Sequence, residues 1–234
     1  MPRNNQYNKA KGIADIVFLI DSTGSMGGCI DGLKKNLNTF FTTLADASAN
    51  SGCAIQDWRA KIVGFRDIEE DGSDWLENYP FVRDIDQLRS QLTSLEAEGG
   101  GDAPESLLDA LFTLSQMGET AHGSEDPKKW RRASEAVRAV AVFTDAPFKP
   151  KMRVRGAEGG AIEDAINFIN STKMKLFIFA PNDSNYEKLS TANFVEFTSV
   201  GGSGLDSVTS DQSVFEQLLK QLAATISSSK PDPL

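Results

Sequence analysis

The run Ile13 to Ile20 (IADIVFLI) is almost unbroken in apolar, β-branched residues and stops abruptly at Asp21. Such a run reads as a strand covered on both faces, which is the situation of a central strand in a parallel sheet. A glycine-rich turn follows. Beyond it Ile30, Leu33, Leu37, Phe40, Phe41 and Leu44 recur at spacings of three and four, predicting an amphipathic helix from about Gly28 to about Ala45. The opening is therefore strand, turn, helix.

The pattern then repeats. Ala60 to Phe65 predicts a second strand, and Leu76 to Val82 folds back as an antiparallel edge strand, a place where Pro80 is tolerated. Asp84 is placed to cap a helix running through Leu95, and Pro104 to stand in the first turn of another reaching about Met117. A polar connection from Gly118 to Ser134 leads to the strand Ala139 to Thr144, which again ends on an aspartate, Asp145. A helix from Ala161 to Ile169, strands at Lys175 to Phe179 and Phe194 to Phe197, and a last helix from Ser213 to Ile226 follow. These alternations predict an α/β fold: a doubly wound, mainly parallel six-stranded sheet with one antiparallel edge strand and helices on both faces. Residues 1–12 read as a polar arm, 13–226 as one domain and 227–234 as a tail.

Composition narrows the function. The chain has 234 residues, 24 Lys and Arg against 33 Asp and Glu, and 40% hydrophobic residues. A net charge of −9 argues against general affinity for nucleic acid, where cations must neutralise phosphates. No apolar run approaches the roughly 20 residues of a membrane span, and the polar start lacks a signal peptide's apolar stretch, so a cytoplasmic protein is expected. Cys29 and Cys53 flank the first helix; about 16 residues at about 1.5 Å each set them too far apart for a disulfide. They form no zinc-binding spacing. His122 is the only histidine and falls in a polar loop, which leaves a Ser-His-Asp triad without support.

The chemistry concentrates where strands end. Asp21, Thr23 and Ser25 set a carboxylate and two hydroxyls at i, i+2 and i+4, an oxygen-only set suited to a hard divalent cation and equally to capping a helix. Asp102, after three glycines, and Asp145 belong on the same edge of the sheet as Asp21, and clustered carboxylates repel unless a cation neutralises them. Asp67 and Glu105 should face the same crevice, either accepting metal-bound water or standing solvated. Lys149, Lys151, Arg153 and Arg155 crowd the loop after Asp145, where an acidic partner segment could dock. No nucleophile elbow, dinucleotide fingerprint or phosphate-binding glycine loop with its lysine is present.

The segments DIVFLIDSTGSM, EGGGDAPES and VFTDAP resemble the metal-ion-dependent adhesion site of von Willebrand factor A domains. That resemblance implies that Asp21, Thr23 and Ser25 form its first ligand loop, that Asp145 is the aspartate of a later loop, and that Asp102 takes a position where many members carry threonine. It implies Mg²⁺ as the bound ion, with Ca²⁺ or Mn²⁺ as substitutes. With three aspartates ionised the formal sum at the ion becomes 2 − 3 = −1, which weakens attraction for an acidic ligand. The GGGD-x-PE variant is similar to A domains joined to alpha-type kinases and those of hemicentin-like proteins. The expected function is a metal-dependent protein-interaction module rather than an enzyme, its partner possessing an acidic side chain to offer the metal, with no nucleic-acid or membrane partner. The alternatives are an adaptor beside a kinase or phosphatase, and a metal-assisted hydrolase.

Overall fold

The computed structural model describes residues 12–51, 55–101, 103–200 and 212–229. Six strands form one sheet: β1 (Gly12–Asp21), β2 (Ile55–Phe65), β3 (Leu76–Asn78), β4 (Val137–Phe143), β5 (Met174–Ala180) and β6 (Val195–Ser199). Their order is β3-β2-β1-β4-β5-β6, with β3 antiparallel to β2 and every other neighbour pair parallel. The expected fold class is the observed one.

Side-chain alternation along the strands divides the core in two. Ile16, Phe18 and Ile20 of β1 face a layer made by α1 (Gly27–Ser51), α2 (Ile85–Ser94) and α6 (Gln212–Ser228). Val17 and Leu19 face the opposite layer of α3 (Leu107–Ser115), α4 (Ile162–Thr172) and α5 (Ser184–Leu189). Because every residue of β1 from Ala14 to Asp21 is buried, the strand has no solvent face, and this is the physical origin of its unbroken apolar run.

Several elements differ from the sequence reading. The first helix runs to Ser51 rather than about Ala45, and β2 begins at Ile55 rather than Ala60. The edge strand is shorter than Leu76 to Val82: ladder pairing covers Leu76–Asn78, and Val82 returns only as an isolated bridge to Ala60. Between them lies Pro80, which has no N–H to give a ladder. Pro104 does not stand in a helix. Glu105 donates its N–H to Pro147 O and accepts from Lys149 N–H, so the segment is tied sideways and α3 begins only at Leu107. Helix α5 was not anticipated; Asp183 caps it by accepting from Asn185 N–H at 2.8 Å. The last helix continues through Ser228, with Ser227 buried and donating to Leu44 O, so the expected tail begins later than residue 227.

The connection from Gly118 to Ser134 is more than a polar link. Trp130 is buried beneath the sheet and donates its indole N–H to Leu114 O at 2.8 Å. Beside it Asp15, with no exposed surface, accepts from Arg59 Nε and Nη2 at 2.8 Å each and from Arg131 N and Nε at 2.7 Å each. This network closes the end of the sheet opposite the carboxyl ends of β1 and β4. Among the described residues no helix is long and apolar enough to cross a membrane.

Candidate metal centre

The strand order reverses direction between β1 and β4: the chain steps outward from β1 through β2 to β3, then returns to β4 on the other side. Loops leaving adjacent strands there diverge and leave a crevice beyond their carboxyl ends. Asp21 terminates β1, and Thr144 and Asp145 follow β4, so both ends open on that crevice.

The turn after β1 is built around Asp21. Thr23 donates its N–H (3.0 Å) and its hydroxyl (2.7 Å) to Asp21 Oδ1, while Thr144 donates its hydroxyl to Asp21 Oδ2 at 2.7 Å. Thr23 Oγ1 and Ser25 Oγ stand 3.5 Å apart, and a short 3-10 turn, Gly24–Met26, leads into α1. Thr23 and Asp21 are buried; Ser25 is exposed. The helix-cap alternative fares poorly here, since no side-chain capping bond forms from Thr23 to this turn. Burial pushes the Asp21 carboxyl up to about 6, and the nearby Asp145 charge adds to the rise against the lowering effect of its hydrogen bonds.

A hollow of about 390 Å³ lies above this turn, lined among others by Thr23, Ser25, Glu105 and Asp145. Glu105 is only 4% exposed, and its Oε2 is buried without a hydrogen-bond partner among the described residues. Burial pushes its carboxyl up to about 8, reinforced by the charges of Asp21, Asp67 and Asp71. Sequence spacing gave Glu105 a minor place; its rank follows from the Glu105–Phe148 bridge, which seats it against the loop carrying Asp145. Asp102 lies outside the described residues, although Gly101 and Ala103 on either side of it line the hollow.

Asp67 is near but engaged. Its Oδ2 pairs with Lys149 Nζ at 2.7 Å and its Oδ1 accepts from Glu69 N–H and Ser106 Oγ. Lys149 also pairs with Glu69 at 2.6 Å, as does Arg153 Nε at 2.9 Å. Two of the four cations expected to receive an acidic partner are thus answered within the chain; Lys151 and Arg155 remain on the exposed surface. His122 is exposed and pairs with Glu135, and Cys29 is buried, while Cys53 lies outside the described residues.

Among the described residues no three His, Cys, Asp or Glu side chains form a metal-holding group by themselves. The donors available are hydroxyls mixed with carboxylates, all oxygen, which is the set a hard cation such as Mg²⁺ prefers. The Glu105 Oε2, buried at the hollow without a hydrogen-bond partner among the described residues, is an acceptor that a cation there would satisfy. The residues present therefore fit such an ion.

Gly100 sits at the wall of the same site with φ +89, and a Cβ there would approach Thr23 Cγ2 to 2.2 Å. Gly100→Ala is expected to lower stability by about 1–2 kcal/mol, from the left-handed backbone alone, and to displace Thr23. Thermal melting and Mg²⁺ titration of the variant check both effects.

No family model and no curated protein matches the chain. Solved structures do resemble it. The pilus adhesin SpaC from Lactobacillus rhamnosus GG matches over 92% of this chain and 31% of its own, at 14% identity and a TM-score of 0.53. Proximal thread matrix protein 1 from the mussel byssus matches over 92% of this chain and 49% of its own, at 15% identity and a TM-score of 0.52. The likeness is one of fold. This chain spans about a third and about half of those two proteins.

Proposed function

We propose that this chain is a von Willebrand factor A-type module that binds a divalent cation, Mg²⁺ in the first place, at the crevice beyond β1 and β4 and uses that face to hold a protein partner. One observation carries the reading: a hydroxyl-and-carboxylate turn, Asp21-Thr23-Ser25, opens on the same hollow as Asp145 and the buried, partnerless oxygen of Glu105. Asp21, Thr23, Ser25, Glu105 and Asp145 would hold the ion, with Asp102 added from the sequence resemblance. When bound, the ion supplies a Lewis-acidic position to which an oxygen of the partner attaches.

The chain's own part is to prepare that position. Thr144 and the Thr23 N–H fix the Asp21 carboxylate, while Asp71 accepts Gly100 N–H and so holds the glycine loop against the turn. The reading is one of binding rather than catalysis: the only histidine lies exposed in the loop before β4 and is paired with Glu135. Two proteins of like fold, a pilus adhesin and a thread matrix protein, are in keeping with a module that holds other molecules.

The test is calorimetric titration of Mg²⁺ into the metal-stripped protein, with melting temperature followed in parallel. A saturable heat with one ion per chain and a rise in melting temperature are expected; absence of both overturns the reading. A partner retained in Mg²⁺ and released by EDTA establishes the interaction, whereas retention indifferent to EDTA removes the metal from it.

A further inference from the structure

The turn carrying Asp21, Thr23 and Ser25 and the glycine loop leading to residue 102 come from distant parts of the chain, yet they meet at one atom. Ser22 O accepts Glu98 N–H at 3.0 Å and Arg66 Nε at 3.3 Å. On its other side Ser22 N–H is donated to Phe65 O at 2.9 Å. Ser22, between Asp21 and Thr23, is therefore held through both of its flanking peptide groups.

Arg66 is the one side chain among those donors, and it carries the contact on to other segments. It is 6% exposed at the end of β2, and its guanidinium is a planar fork whose donors point in fixed directions. Nε reaches Ser22 O; Nη2 reaches Glu96 O at 2.9 Å and Glu77 Oε1 at 3.3 Å, with Glu98 Oε1 at 3.7 Å. Glu77 belongs to β3 and is itself held through its other oxygen, which accepts from the Tyr79 hydroxyl at 2.8 Å. One buried side chain thus ties the ligand turn, the glycine loop and the sheet edge together.

We propose that Arg66 is the positioning residue of the crevice, setting the separation between the Asp21 turn and the glycine loop through Ser22 O and Glu96 O. It does not touch the ion. Its consequence for metal affinity rests on the metal reading above; its effect on the loops does not. Lysine keeps the charge but not the rigid fork, so Arg66→Lys loses the preset two-armed reach to the two carbonyls.

The experiment is amide hydrogen exchange on the metal-free wild type, Arg66→Met, Arg66→Lys and Glu77→Gln, followed by Mg²⁺ titration of each. In the Met variant the Glu98 amide is expected to exchange at least about tenfold faster while amides of β4 keep their protection. The Lys variant should fall between, and Glu77→Gln, which leaves the guanidinium in place but loosens its support, should show a smaller acceleration at Glu98. The Mg²⁺ dissociation constant should rise by about tenfold or more in the Met variant, as when a supporting residue of a metal site is lost. Unchanged exchange at Glu98 in all three variants overturns the proposal. Should Arg66→Met fail to fold, Arg66→Lys and Glu77→Gln decide it by the same criterion. A wild type that takes no Mg²⁺ sinks the metal reading instead, and the exchange result still decides the role of Arg66.

Discussion

Glu105→Gln is expected to move two properties in opposite directions: the metal-free protein becomes more stable in mildly alkaline solution, and its affinity for Mg²⁺ falls. The Glu105 carboxyl is raised to about 8 in the folded chain, from 4.5, by burial and by the charges of Asp21, Asp67 and Asp71. A group whose folded value is raised makes the folded state bind more protons than the unfolded one, so its stabilising contribution is complete below about 4.5 and is lost as pH climbs through about 8. The neutral amide removes that loss. The gain above pH 8 should be about 1–3 kcal/mol, the range for relieving a buried polar group left without a partner, and should vanish near pH 4. Metal reverses the comparison, because the cation is what the carboxylate lacks. The variant's Mg²⁺ affinity should drop by on the order of tenfold or more, and Mg²⁺ binding by the wild type should release protons at pH 7. Melting curves across pH with and without Mg²⁺ measure all of this. Equal melting temperatures for variant and wild type at pH 9 without metal would show that Glu105 bears no unanswered charge.

Asp15→Ala is expected to give the largest loss of stability of any substitution considered. Asp15 receives four hydrogen bonds from Arg59 and Arg131, both almost fully buried, and among the described residues Arg59 pairs with no other carboxylate. Removing one partner of a buried pair leaves the other charge uncompensated, at a cost of about 3–5 kcal/mol. Arg131 retains Asp57, which is more than one-third exposed, so the stranded group is chiefly Arg59. Chemical denaturation measures the change. A loss below about 1 kcal/mol, the value of an exposed ion pair, would refute the role assigned to Asp15. Mg²⁺ affinity at low denaturant should be unaltered, since the network lies at the far end of the sheet.

The sheet and its helices were legible because their signal is periodicity: β1 is apolar throughout since both of its faces are covered, and α1 repeats at three and four since one face is. What periodicity cannot show was missed. Glu105 next to Pro104 reads locally as a helix start, and only its pairing across to Phe148, 43 positions later, turns it into the crevice. Lys149 and Arg153 read as a free basic loop because Asp67 and Glu69 are some 80 positions away in sequence. Asp15 disappeared inside an apolar run, and Trp130 and Arg131 inside a polar one, since the partners that bury them come from elsewhere. Of the candidate ligands, Asp21, Thr23 and Ser25 were readable from spacing within one turn, and Asp145 from the end of a strand.

Asp15 and Asp21 are six residues apart on one straight strand, about 20 Å at about 3.3 Å per residue, and they face the same side of the sheet. A population of random variants displayed on cells and sorted twice, once for surface abundance and once for retention of a magnesium-dependent binder, should therefore separate along this strand. Among changes at these two acids, those at Asp15 would deplete the first sort and those at Asp21 chiefly the second, while changes at the core residues between them deplete both. A single strand read in this way would supply both an internal control for folding and a map of the recognition face.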